Sequence, residues 1–475
     1  MLCSLLASFL LAQAAPQAAP RAALQAAPQA APQAKPAGSS VAVSEAPVGS
    51  SLRDPLPPAP SAPPPAGPVL ALAEALRLAR ESNPDLAIAK ERIVAADIQV
   101  SRAWDALKPV LLGSISETHN SLGALELDKK TFAIAATGSK NAFAASLNAS
   151  WTLFNGRAIP AIQSAKQLVD VARLNESTQQ RALLVSVAQV YFSGATLRQL
   201  AAVAFEQAQA TRGHASQAMA RFEAGLIQRS AAVRARVDVV RADEEARRAT
   251  FSYLTVKSQL VALLDKHDTD FELEPPQQAP EEIRGAFKEL FEKALRERPE
   301  LAAARANEEI AARLKTDAWA QFLPTLSAVG NARYNDPSQQ LTGENSVWSV
   351  ALALTLPLYD GGFRYAALHD ADSQLRSAKQ LTRSSSNRVE DELRRAQIAI
   401  DSFKALREEA VQEVAAAKEN NELIAAQFAA GTATQVEVSD ATAALFQSQA
   451  TLLQQQLNVQ LAALQLAYAV GAFDP

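Results

Sequence analysis

The sequence predicts an α+β membrane protein that is internally duplicated, each repeat joining a pair of β-strands to a very long antiparallel helical hairpin. Three observations carry this: motifs that recur at a near-constant offset, runs of period-2 alternation, and two stretches of more than sixty residues with helical composition and no Pro. Composition bounds the rest. The chain has 475 residues, 48% apolar, 20% charged and 6% aromatic, with a formal net charge of −4. Much of the apolar share is Ala, a strong helix former that buries little surface per residue, so long helices are favoured over thick cores. The near-neutral balance, without a large basic cluster, leaves no basis for a nucleic-acid partner.

The N-terminal apolar run Leu5 to Ala12, followed by the small-x-small pattern Ala12, Gln13, Ala14, reads as a signal peptide over residues 1–14. Residues 15–68 form a Pro/Ala tract too poor in large apolar residues to pack, an extended tether. Cys3 is the only cysteine, so the body forms neither a disulfide nor a thiolate metal site. No later segment offers the roughly 18 to 20 consecutive apolar residues of a helical span, so strands must carry any membrane crossing.

The folded body begins near Val69, where Leu72, Leu76, Leu78 and Ala79 form a helical face that ends at Asn83-Pro84, and a second helix carries Ile88 to Ala106. The duplication starts there. Asn83-Pro84-Asp85-Leu86 recurs as Arg298-Pro299-Glu300-Leu301, Trp104 as Trp319 and Lys108-Pro109 as Leu323-Pro324, all displaced by 215. Leu153-Phe154-Asn155-Gly156 recurs as Leu358-Tyr359-Asp360-Gly361 at 205, and Phe222-Glu223-Ala224-Gly225 as Phe428-Ala429-Ala430-Gly431 at 206. The drop in offset places extra loop around Asn120 to Lys140. Repeat 1 is read as 69–270, a linker as 271–285 and repeat 2 as 286–475.

Between Phe143 and Leu153, Phe143, Ala145, Leu147, Ala149, Trp151 and Leu153 alternate with Ser146, Asn148, Ser150 and Thr152. In the second repeat Trp348, Val350, Leu352, Leu354, Leu356 and Leu358 alternate with Ser349, Ala351, Ala353 and Thr355. Each run has a barrel-strand length, and weaker alternation after Pro109 and Pro324 gives each repeat a hairpin, four strands in all. Helix follows from Ala161 to Ala224 and from Tyr365 to Ala430, each approaching 100 Å at about 1.5 Å per residue. Leu183, Val187, Val190, Gly194, Leu197, Ala201 and Ala204 form a heptad seam, and Val389, Leu393, Ala396, Ile400 and Phe403 repeat it. Gly225 and Gly431 break the helices, which return to about Leu264 and Val470.

Four strands cannot close a barrel, since membrane barrels begin at about eight and open edges are not tolerated in lipid. The chain must oligomerise. In this order, doubled, the Asn83-Pro84 and Arg298-Pro299 helix pairs, Pro109 and Pro324 before the strands, and the Phe154-Asn155-Gly156 and Tyr359-Asp360-Gly361 exits resemble the TolC family of outer-membrane efflux proteins. The turns Arg221 to Leu226 and Gln427 to Thr432 complete the resemblance. It implies a homotrimer with a 12-stranded outer-membrane barrel continued by an α-helical periplasmic tunnel. It further implies a passive exit duct for small toxic compounds, docked to a periplasmic adaptor and an inner-membrane pump. A type I protein secretion duct shares this architecture. A periplasmic adaptor and a soluble structural coiled coil are the readings of other classes.

The resemblance puts Gly225, Leu226, Gly431 and Thr432 at an adaptor-docking tip and Phe428, Glu437 and Asp440 at the periplasmic constriction. The αL termination of helices by glycine, and the placing of acids at a helix N-terminus, explain these residues equally without a partner. At the positions of the Tyr, Arg and Asp that TolC uses to lock its hairpins stand Phe428, Ala433 and Ala231, so that polar lock is absent. Trp151, Trp348, Phe154 and Tyr359 read as interfacial aromatic girdles. Nothing supports catalysis, a cofactor or a metal: His119, His214, His267 and His369 lack ligand spacing, and no phosphate-binding glycine motif occurs.

Overall fold

The computed structural model describes residues 58–59, 67–119, 125–127, 134–136, 141–266, 270–274, 283, 285–336, 338 and 344–473. The expected signal peptide, nearly all of the expected tether, most of the expected linker, Cys3 and His267 lie outside the described residues. The chain begins with β1 (Val69–Leu70), α1 (Leu72–Ser82), α2 (Pro84–Asp105), β2 (Val110–His119), β3 (Leu125–Leu127), β4 (Ile134–Ala136) and β5 (Asn141–Asn155). Two long helices follow, α3 (Ala158–Glu223) and α4 (Arg229–Leu263). After β6 (Glu272–Leu273) the order returns as α5 (Phe287–Glu297), α6 (Pro299–Ala320), β7 (Thr325–Asp336), β8 (Ser346–Thr355), α7 (Phe363–Ala430) and α8 (Gln435–Val470).

Local chemistry sets these boundaries. Asn83 caps α2 by accepting the Asp85 N–H, and Pro84 occupies the first helical position, where its missing N–H costs nothing, so α2 starts four residues before Ile88. For the same reason α3 begins at Ala158 with Pro160 in its first turn, ahead of the expected Ala161. Gly361 and Gly362 take positive φ of 70° and 93°, which turns the chain into α7 at Phe363 instead of Tyr365. β8 stops at Thr355, short of the expected Leu358, because Pro357 has no ladder donor.

Four strands form one antiparallel sheet in the order β2-β5-β7-β8, so the two hairpins join through β5 and β7. Two further pairs were not expected from the sequence: β3 with β4, and the parallel β1 with β6. One face of the main sheet is apolar, with Leu111, Ile115, Leu147, Trp151, Tyr334, Trp348 and Leu352 exposed on it. The register shifts between Thr152 and Phe154, a bulge that puts Phe154, not Leu153, opposite Leu326 on this face. The other face is polar. Ser114 and Ser146 hydroxyls share a 2.8 Å hydrogen bond, Asn148 donates to Ser146 at 3.2 Å and Asn331 donates to Asn148. Arg333, opposite Ser146, is the one charged residue on that face among the described strand residues.

At about 1.5 Å per residue, the 66 residues of α3 and 68 of α7 reach about 100 Å each. Toward the sheet α3 packs on α2 and α6 and α7 packs on α6; toward the opposite end α3 packs on α4 and α8, and α7 on α8. Nearer the tip the α3/α4 contact is built almost wholly from alanine, Ala201, Ala204, Ala208, Ala246 and Ala249, then Ala215, Ala218, Ala235 and Val239, whereas farther from it Tyr253 and Leu260 of α4 share a core with Leu184, Val187 and Tyr191 of α3. Small side chains bring the helix axes close and leave little for a thick core to do. The second seam is buried at Val389, Leu393, Ala396 and Ile400, as its periodicity predicts.

Near the middle of α3 a buried carboxylate ties the strap β1/β6 to the helices. Glu272 accepts from Tyr253 Oη at 2.7 Å and pairs with Arg198 at 3.1 Å and Lys257 at 3.8 Å. Arg198 also donates to the Leu273 carbonyl at 2.7 Å, and Tyr191 Oη donates to that of Leu70 at 2.8 Å. Burial, then the Glu272 carboxylate, push the Tyr253 hydroxyl upward, so it remains a donor. Glu272→Ala leaves two cations without their acceptor and should cost about 3 kcal/mol, the low end for a buried pair because Arg198 keeps some solvent. Thermal loss of helical circular dichroism in detergent measures this, and Glu272→Gln should fall between it and the parent.

Candidate functional site

The end of the molecule far from the sheet is made by two helix turns. At the first, the Leu226 N–H donates to the Arg221 carbonyl and the Gly225 N–H to that of Phe222, both at 2.9 Å, with Gly225 at φ 72°. At the second, Thr432 N–H donates to Gln427 at 2.9 Å and Gly431 N–H to Phe428 at 3.0 Å, with Gly431 at φ 81°. Both are Schellman terminations, in which a left-handed residue lets the chain satisfy its last helical carbonyls. A Cβ at either glycine would meet nothing within 4 Å, so φ, not space, requires glycine there. Leu226 then stands 74% exposed.

Between the turns lies a groove of about 760 Å³, lined by Leu226, Phe428 and Gly431 together with Arg221, Arg234 and Ala433. Gly225 and Thr432 sit in the adjoining turns, where the Thr432 hydroxyl donates to the Gln427 carbonyl at 3.0 Å. Phe428 is 3% exposed. The Arg221 guanidinium covers its ring at 4.3 Å and donates to the Ala429 carbonyl at 3.2 Å, joining the first hairpin to the second. Two more contacts join them: Arg234 with Asp440 at 3.5 Å, and the Ser439 hydroxyl donating to Asp238 at 2.6 Å. Ala231 and Ala433 line the groove with methyl side chains that can make no polar contact, so this set stands where the family's lock residues are missing.

The two acids are not a matched pair. Glu437 closes a capping box: its carboxylate accepts the Thr434 N–H at 2.6 Å and the Thr434 hydroxyl at 2.9 Å, while its own N–H donates to Thr434 Oγ1 at 3.3 Å. Asp440 instead faces Arg234, in the cavity between α3, α4 and α8. The Thr434 backbone N–H, then its hydroxyl, hold the Glu437 carboxyl below its ordinary 4.5. Because the folded value is depressed, the capping contribution is complete above about pH 4.5 and disappears as acid protonates the carboxylate.

The residues that join the hairpins, Arg221, Arg234, Asp238 and Ser439, carry no role in the sequence reading. One signal was present: Arg234 displaced by 206 is Asp440, opposite charges at the same place in the two repeats. Thr434→Ala should cost about 1 kcal/mol through the lost cap, and Gly431→Ala about 1 to 2 kcal/mol through a strained left-handed backbone. Both are read as lowered thermal midpoints, and acid below pH 4.5 should narrow the gap between parent and Thr434→Ala.

The fold and this tip have relatives. The model of the outer membrane efflux protein family matches residues 75–265 and 290–472. Outer membrane protein TolC of Vibrio cholerae is 26% identical over 427 residues, covering 85% of this chain and 91% of that protein. A membrane protein from Pseudomonas aeruginosa superposes with a TM-score of 0.73 at 20% identity over 88% of this chain and 98% of its own. The Vibrio cholerae outer membrane protein VceC gives 0.70 at 20% identity, over 84% and 96%. With a family model spanning most of the chain, in two halves that each hold long helices and a strand pair, this protein belongs to the outer membrane efflux proteins, channels of the Gram-negative outer membrane and not enzymes.

Proposed function

We propose that three copies of the chain assemble into the passive exit duct of a tripartite efflux pump, carrying small toxic compounds delivered by an inner-membrane pump through a periplasmic adaptor. The observation that carries this is the sheet: β2 and β8 end it with unpaired edges while its outward face is apolar. In hydrocarbon those edges must pair, and copies of the same sheet are the partners at hand. Three copies give twelve strands, within the range of single-pore barrels. The polar face with Ser146, Asn148, Asn331 and Arg333 then lines the pore, and α3 and α7 prolong it across the periplasm. Residues 1–14 serve as export signal and 15–68 as a tether to the body.

At the far end, Gly225, Leu226, Gly431 and Thr432 form the surface on which the adaptor docks. The exposed Leu226 beside the groove supports this, since an apolar side chain on a tight turn is suited to insertion between partner helices. Phe428, Glu437 and Asp440 belong to the constriction, and Arg234 offsets part of its negative charge.

Deleting the chain from its native cell should raise susceptibility to dyes and detergents while protein secretion continues; lost secretion with unchanged susceptibility would favour a type I secretion duct instead. In planar bilayers, Glu437→Ala with Asp440→Ala should weaken block of the current by multivalent cations. Arg234→Gln should strengthen it by freeing Asp440, and equal block in all three proteins would remove the acids from the constriction.

A further inference from the structure

The row of helices at the tip runs α4, α3, α8, α7, so α4 and α7 form its two outer edges. These edges differ in charge. From Arg229 to Arg248, α4 carries six arginines against the four acids Asp238, Asp243, Glu244 and Glu245, whereas α7 carries five glutamates and one lysine, Lys418, between Glu408 and Glu422, and α8 has no Lys or Arg at all. On α4, Ala235 and Val239 face α3. The flank beside that face holds Arg229, Val233, Arg236, Val240 and Arg247, at spacings of 4, 3, 4 and 7 that make one helical stripe, with Arg236 half-buried on it. Val233 and Val240 on it are 37% and 49% exposed. On α7, Ala410 is the only buried residue between Ile400 and Phe428, and the side away from it holds Glu408, Ala415, Glu419 and Glu422, again at heptad spacing. Arg236, Glu419 and Glu422 make no ion pair within the chain among the described residues.

The stripes also match in height. Because the two turns adjoin at the groove, distances along α4 and α7 can be counted from the same level. Arg236 lies about 10 Å from the start of α4 and Glu422 about 12 Å from the end of α7, while Val233 and Ala426 both lie about 6 Å from theirs. We infer that the tip-proximal edges of α4 and α7 meet between copies as an arginine–glutamate seam, each copy giving its basic edge to one neighbour and its acidic edge to the other. A head-to-tail contact of this kind closes a ring when three copies complete the rotation that the twelve-stranded barrel requires. The inference rests on the duct reading and adds to it that the tip-proximal wall is held by charge, hence loosened by salt that leaves the barrel intact.

The test is oxidation of Val233→Cys/Ala426→Cys protein in detergent. These sites lie on opposite edges of one chain and at one level across the seam, so covalent dimers and trimers should form on a non-reducing gel, and neither single variant should give them. Adding Arg236→Glu should cut the yield several-fold, and adding Glu422→Arg to that should restore it. Protein that scatters light as a trimer yet gives no covalent multimers, or shows no rescue by the second reversal, overturns the seam while leaving the duct. Protein that scatters as a monomer overturns the duct reading and the seam with it.

Discussion

The backbone groups along the outer edges of β2 and β8 have no partner in the sheet, and the side chains beside them, Leu111, Ile115, Trp348 and Leu352, are apolar and exposed. In water such edges are a liability, and in lipid they are forbidden, because an amide that leaves water without a new partner costs several kcal/mol. A chain with this sheet can be at home in a membrane only as part of a closed ring. The rest of the molecule is arranged around that requirement: each strand pair feeds into a helix of about 100 Å, so that a closed sheet at one end continues as a closed wall.

The wall is built with small residues. Alanines fill the tip-proximal half of the α3/α4 contact where a globular protein would use Leu or Ile, and this exchanges apolar burial for close approach of the helices. The polar clasp around Glu272 then holds β1 and β6 against the middle of α3 and the C-terminal part of α4, tying the start of the body to the junction between repeats.

Duplication explains the frame and not the tip. Gly225 and Gly431 are the same device used twice, and their turns are superposable in hydrogen bonding. The contacts between the turns are not duplicated: Arg221 covers Phe428, but its counterpart is Gln427, and Arg234 faces Asp440, the residue at its own position in the other repeat. Where the two hairpins bring equivalent positions together, as at Arg234 and Asp440, divergence creates complementarity where identity would place like charges together.

The sequence by itself determined the repeat, the strand pairs, the long helices and the glycine turns, because these rest on periodicities of 2, 3.5 and about 206 residues and on residues whose backbone preferences are local. It determined the presence of Glu437 and Asp440 near a helix start, but not that one would close a capping box and the other would meet Arg234. It could not show the bulge that turns Phe154 in place of Leu153, the β1/β6 strap, or the Arg221 cover over Phe428. Those depend on which surfaces two separate repeats present to each other, and distance in space between residues some two hundred apart in sequence is set only when the helices pack.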